Sequence, residues 1–165
     1  MIVVIMGVAG AGKSTIGSLL AARSGATYVD ADSFHSAQNI DKMSHGVPLT
    51  DADRAPWLAA IHRRMVEAFD SGENLVVGCS ALKQRYRDVL SQAVPVRWVY
   101  LKGSPEEIRE RLMQRRGHFM SAAMVASQFA DLEEPRQAIV VEITLPPEAA
   151  VQRILDTLAH DSPHP

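Results

Sequence analysis

The chain has 165 residues, 47% of them hydrophobic and 22% charged, with a formal net charge of −2. That length suits one domain with a full core, and the near-neutral balance excludes a general nucleic-acid or membrane-surface binder. Cys79 is the single cysteine, so no internal disulfide can form and a reducing compartment is expected.

The first apolar run, "IVVIM" (Ile2–Met6), is rich in β-branched residues and reads as a buried strand. It lacks the basic start and cleavage site of a signal peptide and is too short to span a bilayer, which predicts a soluble cytoplasmic protein. Directly after it, "GVAGAGKST" places Gly7, Gly12, Lys13 and Ser14 on the spacing G-x-x-x-x-G-K-[ST], ahead of a helix predicted over Lys13–Ser24. A strand before and a helix after are the context in which such a loop binds nucleotide. Backbone N–H groups of Gly7, Val8, Ala9, Gly10, Ala11, Gly12, Lys13, Ser14 and Thr15 would then curl around the phosphates of ATP. Lys13 would reach the β- and γ-phosphates, and the Ser14 hydroxyl would ligate Mg²⁺.

A second strand, "TYV" (Thr27–Val29), runs into "DADSFH". Its end brings Asp30 and Asp32 to the sheet edge where ligands collect. Two carboxylates this close disfavour each other's ionisation unless a metal and a substrate proton share out the charge. Asp30 suits Mg²⁺, directly or through water, and Asp32 suits the role of base toward an attacking hydroxyl. The competing reading makes one of them the N-cap of a helix in "SFHSAQNIDKM". Further on, His35, Asn39, Lys42 and His45 are polar groups near a predicted helix. Asp51, Asp53 and Arg54 precede Pro56-Trp57 at the start of a helix expected over Asp53–Ser71. A guanidinium held by such packing fits bidentate recognition of a carboxylate.

The third strand, "NLVVG" (Asn74–Gly78), leads into "CSALKQRYRD", with a helix expected over Ser80–Gln92. Lys83 and Arg87, four apart on that helix, would share one face. At a ligand edge they would meet an anionic or polyhydroxyl substrate; elsewhere they would be solvated. Cys79 reads as a small buried apolar residue. After the fourth strand, "VRWVYL" (Val96–Leu101), the helix Ser104–Arg115 carries Ser104 as N-cap, Pro105 at the first helical position and Glu107 three residues after the cap. Arg111 and Arg115 stand one turn apart, with Arg116 and His118 beside them. Concentrated cations there would meet the transferring phosphoryl group, and Gly117 would let the segment bend and close as a lid over residues 112–128. A helix over Ser121–Asp131, a fifth strand "AIVVEI" (Ala138–Ile143) and a helix over Pro147–Leu158 complete the chain. Strand alternating with helix predicts an α/β doubly wound parallel sheet.

With these motifs placed, the chain resembles the gluconokinases, small ATP-dependent kinases related to shikimate and nucleoside monophosphate kinases. The segments that carry the resemblance are "DADSFHSAQNIDKMSHGVPLTDADRAPWL", "CSALKQRYRD" and "HFMSAAMVASQFADLEEP". It implies a P-loop kinase with a five-stranded parallel sheet in the order 2-3-1-4-5 and a lid between strands four and five. It also implies phosphorylation of D-gluconate on its 6-hydroxyl, and a homodimer. Arg111 and Arg115 match the spacing of an adenine-stacking and a phosphate-holding arginine in related lids. His35, Lys42, Arg54, Lys83 and Arg87, with Asp32, are the implied gluconate contacts. Two departures stand out: Ser36 replaces a proline expected after His35, and no Asp ends the third strand, which shifts metal duty to Ser14 and Asp30. A kinase for another sugar acid or polyol, and a non-catalytic ATP-binding module, are the alternatives.

Overall fold

The computed structural model describes residues 1–115 and 122–160. Arg116, Gly117 and His118, and with them the expected bend at Gly117, lie outside the described residues. Five strands, β1 (Ile2–Met6), β2 (Thr27–Asp30), β3 (Leu75–Gly78), β4 (Val96–Lys102) and β5 (Ile139–Glu142), form one parallel sheet in the order β2-β3-β1-β4-β5. The order is the one the resemblance implies. Helices α1 (Lys13–Ser24), α2 (Ala37–Ser44), α3 (Asp51–Asp70), α4 (Gln84–Leu90), α5 (Pro105–Gln114), α6 (Ala122–Asp131) and α7 (Pro147–His160) connect the strands.

β1 is central, with Val4 level with Val77 on one side and Trp98 on the other. All five of its residues are buried, which is why its sequence is apolar without alternation. Its side chains still divide between faces, as the strand period of two requires. Val3 and Ile5 pack with Ile16 and Leu20 of α1, Ile108 and Leu112 of α5, and Val151 and Ile154 of α7. Ile2, Val4 and Met6 pack with Trp57, Ile61 and Met65 of α3 and Tyr86 and Leu90 of α4. Each such aliphatic side chain contributes roughly 1.5–3 kcal/mol on burial. The edge strands β2 and β5 are only partly buried, because each has one neighbour and less cover.

Three differences from the expected element boundaries fall near the ligand edge of the sheet. α3 begins at Asp51, because Thr50 is its N-cap and makes a capping box with Asp53. Helix α4 begins at Gln84, not Ser80: residues 79–83 form a loop in which Ala81 has φ 42°. Strand β2 ends at Asp30, and residues 31–34 form a 3₁₀ turn capped by the Asp30 side chain. Ser36, the departure from the expected proline, is the N-cap of α2, accepting from the Asn39 N–H at 3.1 Å. The predicted cap of α5 is present, with Ser104 and Glu107 satisfying each other's backbone N–H groups.

Candidate active site

The phosphate loop runs from β1 into α1 through backbone that only glycine adopts easily. Gly7 has φ 151°, and a Cβ there would sit 3.0 Å from the Leu101 carbonyl oxygen. Gly12, at φ 99°, is the N-cap of α1, and no side chain caps that helix. Its first N–H groups are therefore left for an anion, where the helix dipole adds partial positive charge. Not every amide of the loop is available. The Ala9 N–H donates to Gln128 Oε1 at 2.6 Å, and the Ala11 N–H donates to the Val8 carbonyl at 3.2 Å.

Lys13 is folded back on the loop, its ammonium donating to the carbonyls of Gly7 and Val8 at 3.0 Å each. Burial lowers its pKa, and the charge of Asp32, followed by Cys79 and Asp30, pulls the other way. Arg115 acts on the same ammonium as a like charge. The half-buried Lys13, both aspartates and Arg115 thus belong to one electrostatic cluster.

Asp30 and Asp32 do not share a strand face, because the chain turns between them. Asp30 Oδ1 accepts the Asp32 N–H at 2.9 Å, while its Oδ2 accepts the Ser14 hydroxyl at 3.2 Å. Neither aspartate caps the helix in "SFHSAQNIDKM", whose N-cap is Ser36; Asp30 instead caps the 3₁₀ turn and holds its contact to Ser14. Those two oxygens are hard donors of the kind Mg²⁺ takes. Among the described residues no cluster of three or more His, Cys, Asp or Glu could hold a metal alone, so phosphate and water oxygens would complete the shell. Asp32, in the first turn residue pair of the 3₁₀ segment, is exposed and its carboxylate makes no hydrogen bond among the described residues.

The side expected to take the acceptor is a wall built on α3. Trp57 donates its Nε1–H to the Ala31 carbonyl at 2.7 Å, and the His35 ring stacks on it at 4.5 Å and 8°. His35 Nδ1 is buried with no hydrogen-bond partner among the described residues. Burial lowers the pKa of this imidazole; Asp32 opposes the shift and Arg54 adds to it. Arg54 donates to the Tyr86 hydroxyl at 2.9 Å, which itself donates to Asp51 at 2.6 Å. Arg54, Lys83 and Arg85 all lie within 5.9 Å of the Tyr86 ring centre. Lys42 binds both oxygens of Asp53, at 2.9 and 3.0 Å.

Arg87 is corrected by the structure. It is 3% exposed, and its donors go to the carbonyls of Ala81, Leu82 and Glu133 and to Gln84 Oε1. No donor remains for a substrate carboxylate. It does not share an exposed helical face with Lys83 either, since Lys83 is the N-cap of α4 and pairs with Asp131 at 3.6 Å. Sequence reasoning missed Tyr86, whose role as a platform for three cations depends on α3 meeting α4, and Gln128, whose partner is 119 residues away.

On the other side of the loop, a cavity of about 150 Å³ is lined by Gly12, Thr15, Arg111, Arg115, Ile143 and Pro147, among others. Arg111 donates to the carbonyls of Ala11 and Ile143, which fixes it against the loop. A larger open cleft, about 600 Å³, lies along Gln84, Trp98 and Arg136 and includes no phosphate-loop residue.

A family model described as an AAA domain matches residues 2–139. The thermosensitive gluconokinase of Escherichia coli (strain K12) is 44% identical over 134 residues, covering 81% of this chain and 72% of that protein. The gluconokinase of Gluconobacter oxydans (strain 621H) is 46% identical, covering 80% of this chain and 75% of its own length. Among solved structures, a gluconokinase from Sinorhizobium meliloti 1021 superposes with a TM-score of 0.89 at 41% identity, covering 96% of this chain and 91% of that one. A Mycobacterium tuberculosis APS kinase in complex with AMPPNP and APS, with a TM-score of 0.72 at 16% identity and 96% and 97% coverage, shares the fold.

Proposed function

The chain belongs to the gluconokinase family, and we propose that it transfers the γ-phosphate of ATP to the 6-hydroxyl of D-gluconate, giving 6-phospho-D-gluconate and ADP. The observation that carries this reading is the exposed Asp32 carboxylate, which makes no hydrogen bond among the described residues and whose charge acts on the half-buried Lys13 of the phosphate loop. On nucleotide binding, Lys13 exchanges the carbonyls of Gly7 and Val8 for β- and γ-phosphate oxygens, which are stronger partners for an ammonium. The amides of Gly10, Gly12, Lys13, Ser14 and Thr15 take the remaining oxygens, and Arg111 borders the base. Ser14 and Asp30 hold Mg²⁺, which when bound offsets charge on the phosphates.

Asp32 accepts the proton of the 6-hydroxyl as that oxygen attacks phosphorus in line. Arg115 stabilises charge on the moving phosphoryl group. His35, whose imidazole burial favours as neutral, would meet a sugar hydroxyl, which both donates and accepts. Arg54, Lys83 and the remaining ammonium proton of Lys42 suit the carboxylate end of gluconate, with Arg87 holding the loop that carries Lys83. No helix of the described residues is long and apolar enough to cross a membrane; a cytoplasmic enzyme fits the single buried cysteine, and a homodimer follows from the family resemblance.

The test is ADP release with Mg²⁺·ATP across gluconate, other sugar acids, shikimate and nucleoside monophosphates. Release that depends on gluconate is expected. A stronger response to another sugar acid would reassign the acceptor, and nucleotide binding without turnover on any acceptor would make the chain a binding module.

A further inference from the structure

Helix α6 lies in "HFMSAAMVASQFADLEEP", a segment that the reaction outlined above leaves without a task. Val125 anchors it in the core beside Ile108 and Leu112 of α5, with Phe129 packed against the same cluster. Its polar groups reach in two directions. Gln128 Oε1 accepts the Ala9 N–H of the phosphate loop at 2.6 Å. One turn later, Asp131 pairs with Lys83 at 3.6 Å. The chain leaving the helix is then tied to the same acceptor-side loop. The Glu133 N–H donates to the Leu82 carbonyl at 2.9 Å, Glu133 Oε2 accepts the Gln84 N–H at 2.8 Å, and Arg87 donates to the Glu133 carbonyl at 2.8 Å.

We propose that α6 is a brace that sets the acceptor-side loop against the phosphate loop, and that Gln128 is its positioning residue on the donor side. The inference rests on the kinase reading above. Residues 128 and 131 lie on one side of a helix, so a rigid element of a single turn separates the grip on Ala9 from the grip on Lys83. In-line transfer is sensitive to an error of about 1 Å between nucleophile and phosphorus, which can cost on the order of a hundredfold in rate. A glutamine suits the position because its oxygen is a neutral acceptor. A carboxylate would hold Ala9 equally well but set a negative charge against the triphosphate. Binding of ATP would be spared by loss of the contact, since the amides of α1 and Lys13 do not depend on it.

The test compares wild-type protein with Gln128→Met, which keeps length and packing but removes the acceptor, and with Gln128→Glu, which keeps the acceptor and adds charge. Kinetics are run on whichever acceptor the wild-type enzyme phosphorylates, so failure of gluconate itself would count against the proposed substrate and not against the brace. For Gln128→Met, kcat is expected to fall about tenfold to a hundredfold, with KM for ATP within about twofold and an unchanged melting temperature. For Gln128→Glu, KM for ATP is expected to rise instead. Adding Asp131→Asn to Gln128→Met should cost less than the product of the two single effects, because both act through one element. Wild-type kcat in Gln128→Met, a loss that appears only in KM for ATP, or a loss that tracks unfolded protein would each overturn the proposal.

Discussion

Asp30 and Asp32 carry the same functional group two positions apart, and their surroundings separate them. Asp30 is committed to the Asp32 N–H and the Ser14 hydroxyl, whereas the Asp32 carboxylate is exposed and makes no hydrogen bond among the described residues. Asp32→Asn removes the proposed base without removing a side-chain hydrogen bond among the described residues, so the variant should fold, bind ATP and lose ~10²–10⁴-fold in kcat. Thermal melts and nucleotide titration beside the turnover assay check all three; near-wild-type turnover would show that another group takes the proton. The Lys42–Asp53 pair permits a prediction in pH. Hydrogen bonds from Lys42, then from the Thr50 backbone, hold the Asp53 carboxyl below its ordinary range. A carboxylate whose pKa is lower folded than unfolded adds stability above the unfolded value, near 4. That stability is lost as pH falls through the folded value. Asp53→Asn should therefore reduce stability at neutral pH and flatten its decline in acid, measured by denaturant melts between about pH 3 and 7.

At the scale of elements, local rules and long-range contacts part company around α4. The capping signal of α5 is read within four residues and the helix keeps it, whereas α3 starts two residues ahead of expectation on the Thr50 cap. The start of α4 is decided instead by Arg87, which holds the carbonyls of Ala81 and Leu82 and so keeps residues 79–83 out of the helix. Sequence alone makes Arg87 look like a surface cation, because burial of a guanidinium requires acceptors that only the folded loop supplies, one of them 46 residues away. Arg87→Met should leave these carbonyls unpaired and destabilise the protein by about 2–3 kcal/mol, while KM for ATP stays unchanged in the folded fraction. Urea unfolding followed by circular dichroism measures the first effect. Equal stability would show that water replaces the guanidinium.

Over the whole molecule, the sheet buries one reactive group that the chemistry does not use. Cys79 is 1% exposed at the end of β3, and burial pushes its thiol up to about 12. Native protein should therefore resist alkylation by iodoacetamide at pH 8, and reaction should appear only with global unfolding, since the thiolate is the reacting form. Labelling at the rate of an unfolded control under native conditions would mean that this end of the sheet opens locally.

Much of this protein was legible before folding. The β1–loop–α1 unit, the alternation of strands and helices, and the caps of α5 depend on hydrogen bonds and periodicities that span a few residues, and the order of the sheet came with the family resemblance. The sequence by itself therefore determined the nucleotide loop and the architecture around it. Tertiary structure alone decided that Asp30 caps a turn while Asp32 is exposed, that Arg87 is internal, that Tyr86 gathers three cations, and that Gln128 grips Ala9. Each of these follows from where distant segments meet, and a side chain's partners, burial and charge are set by that meeting rather than by its neighbours in the chain.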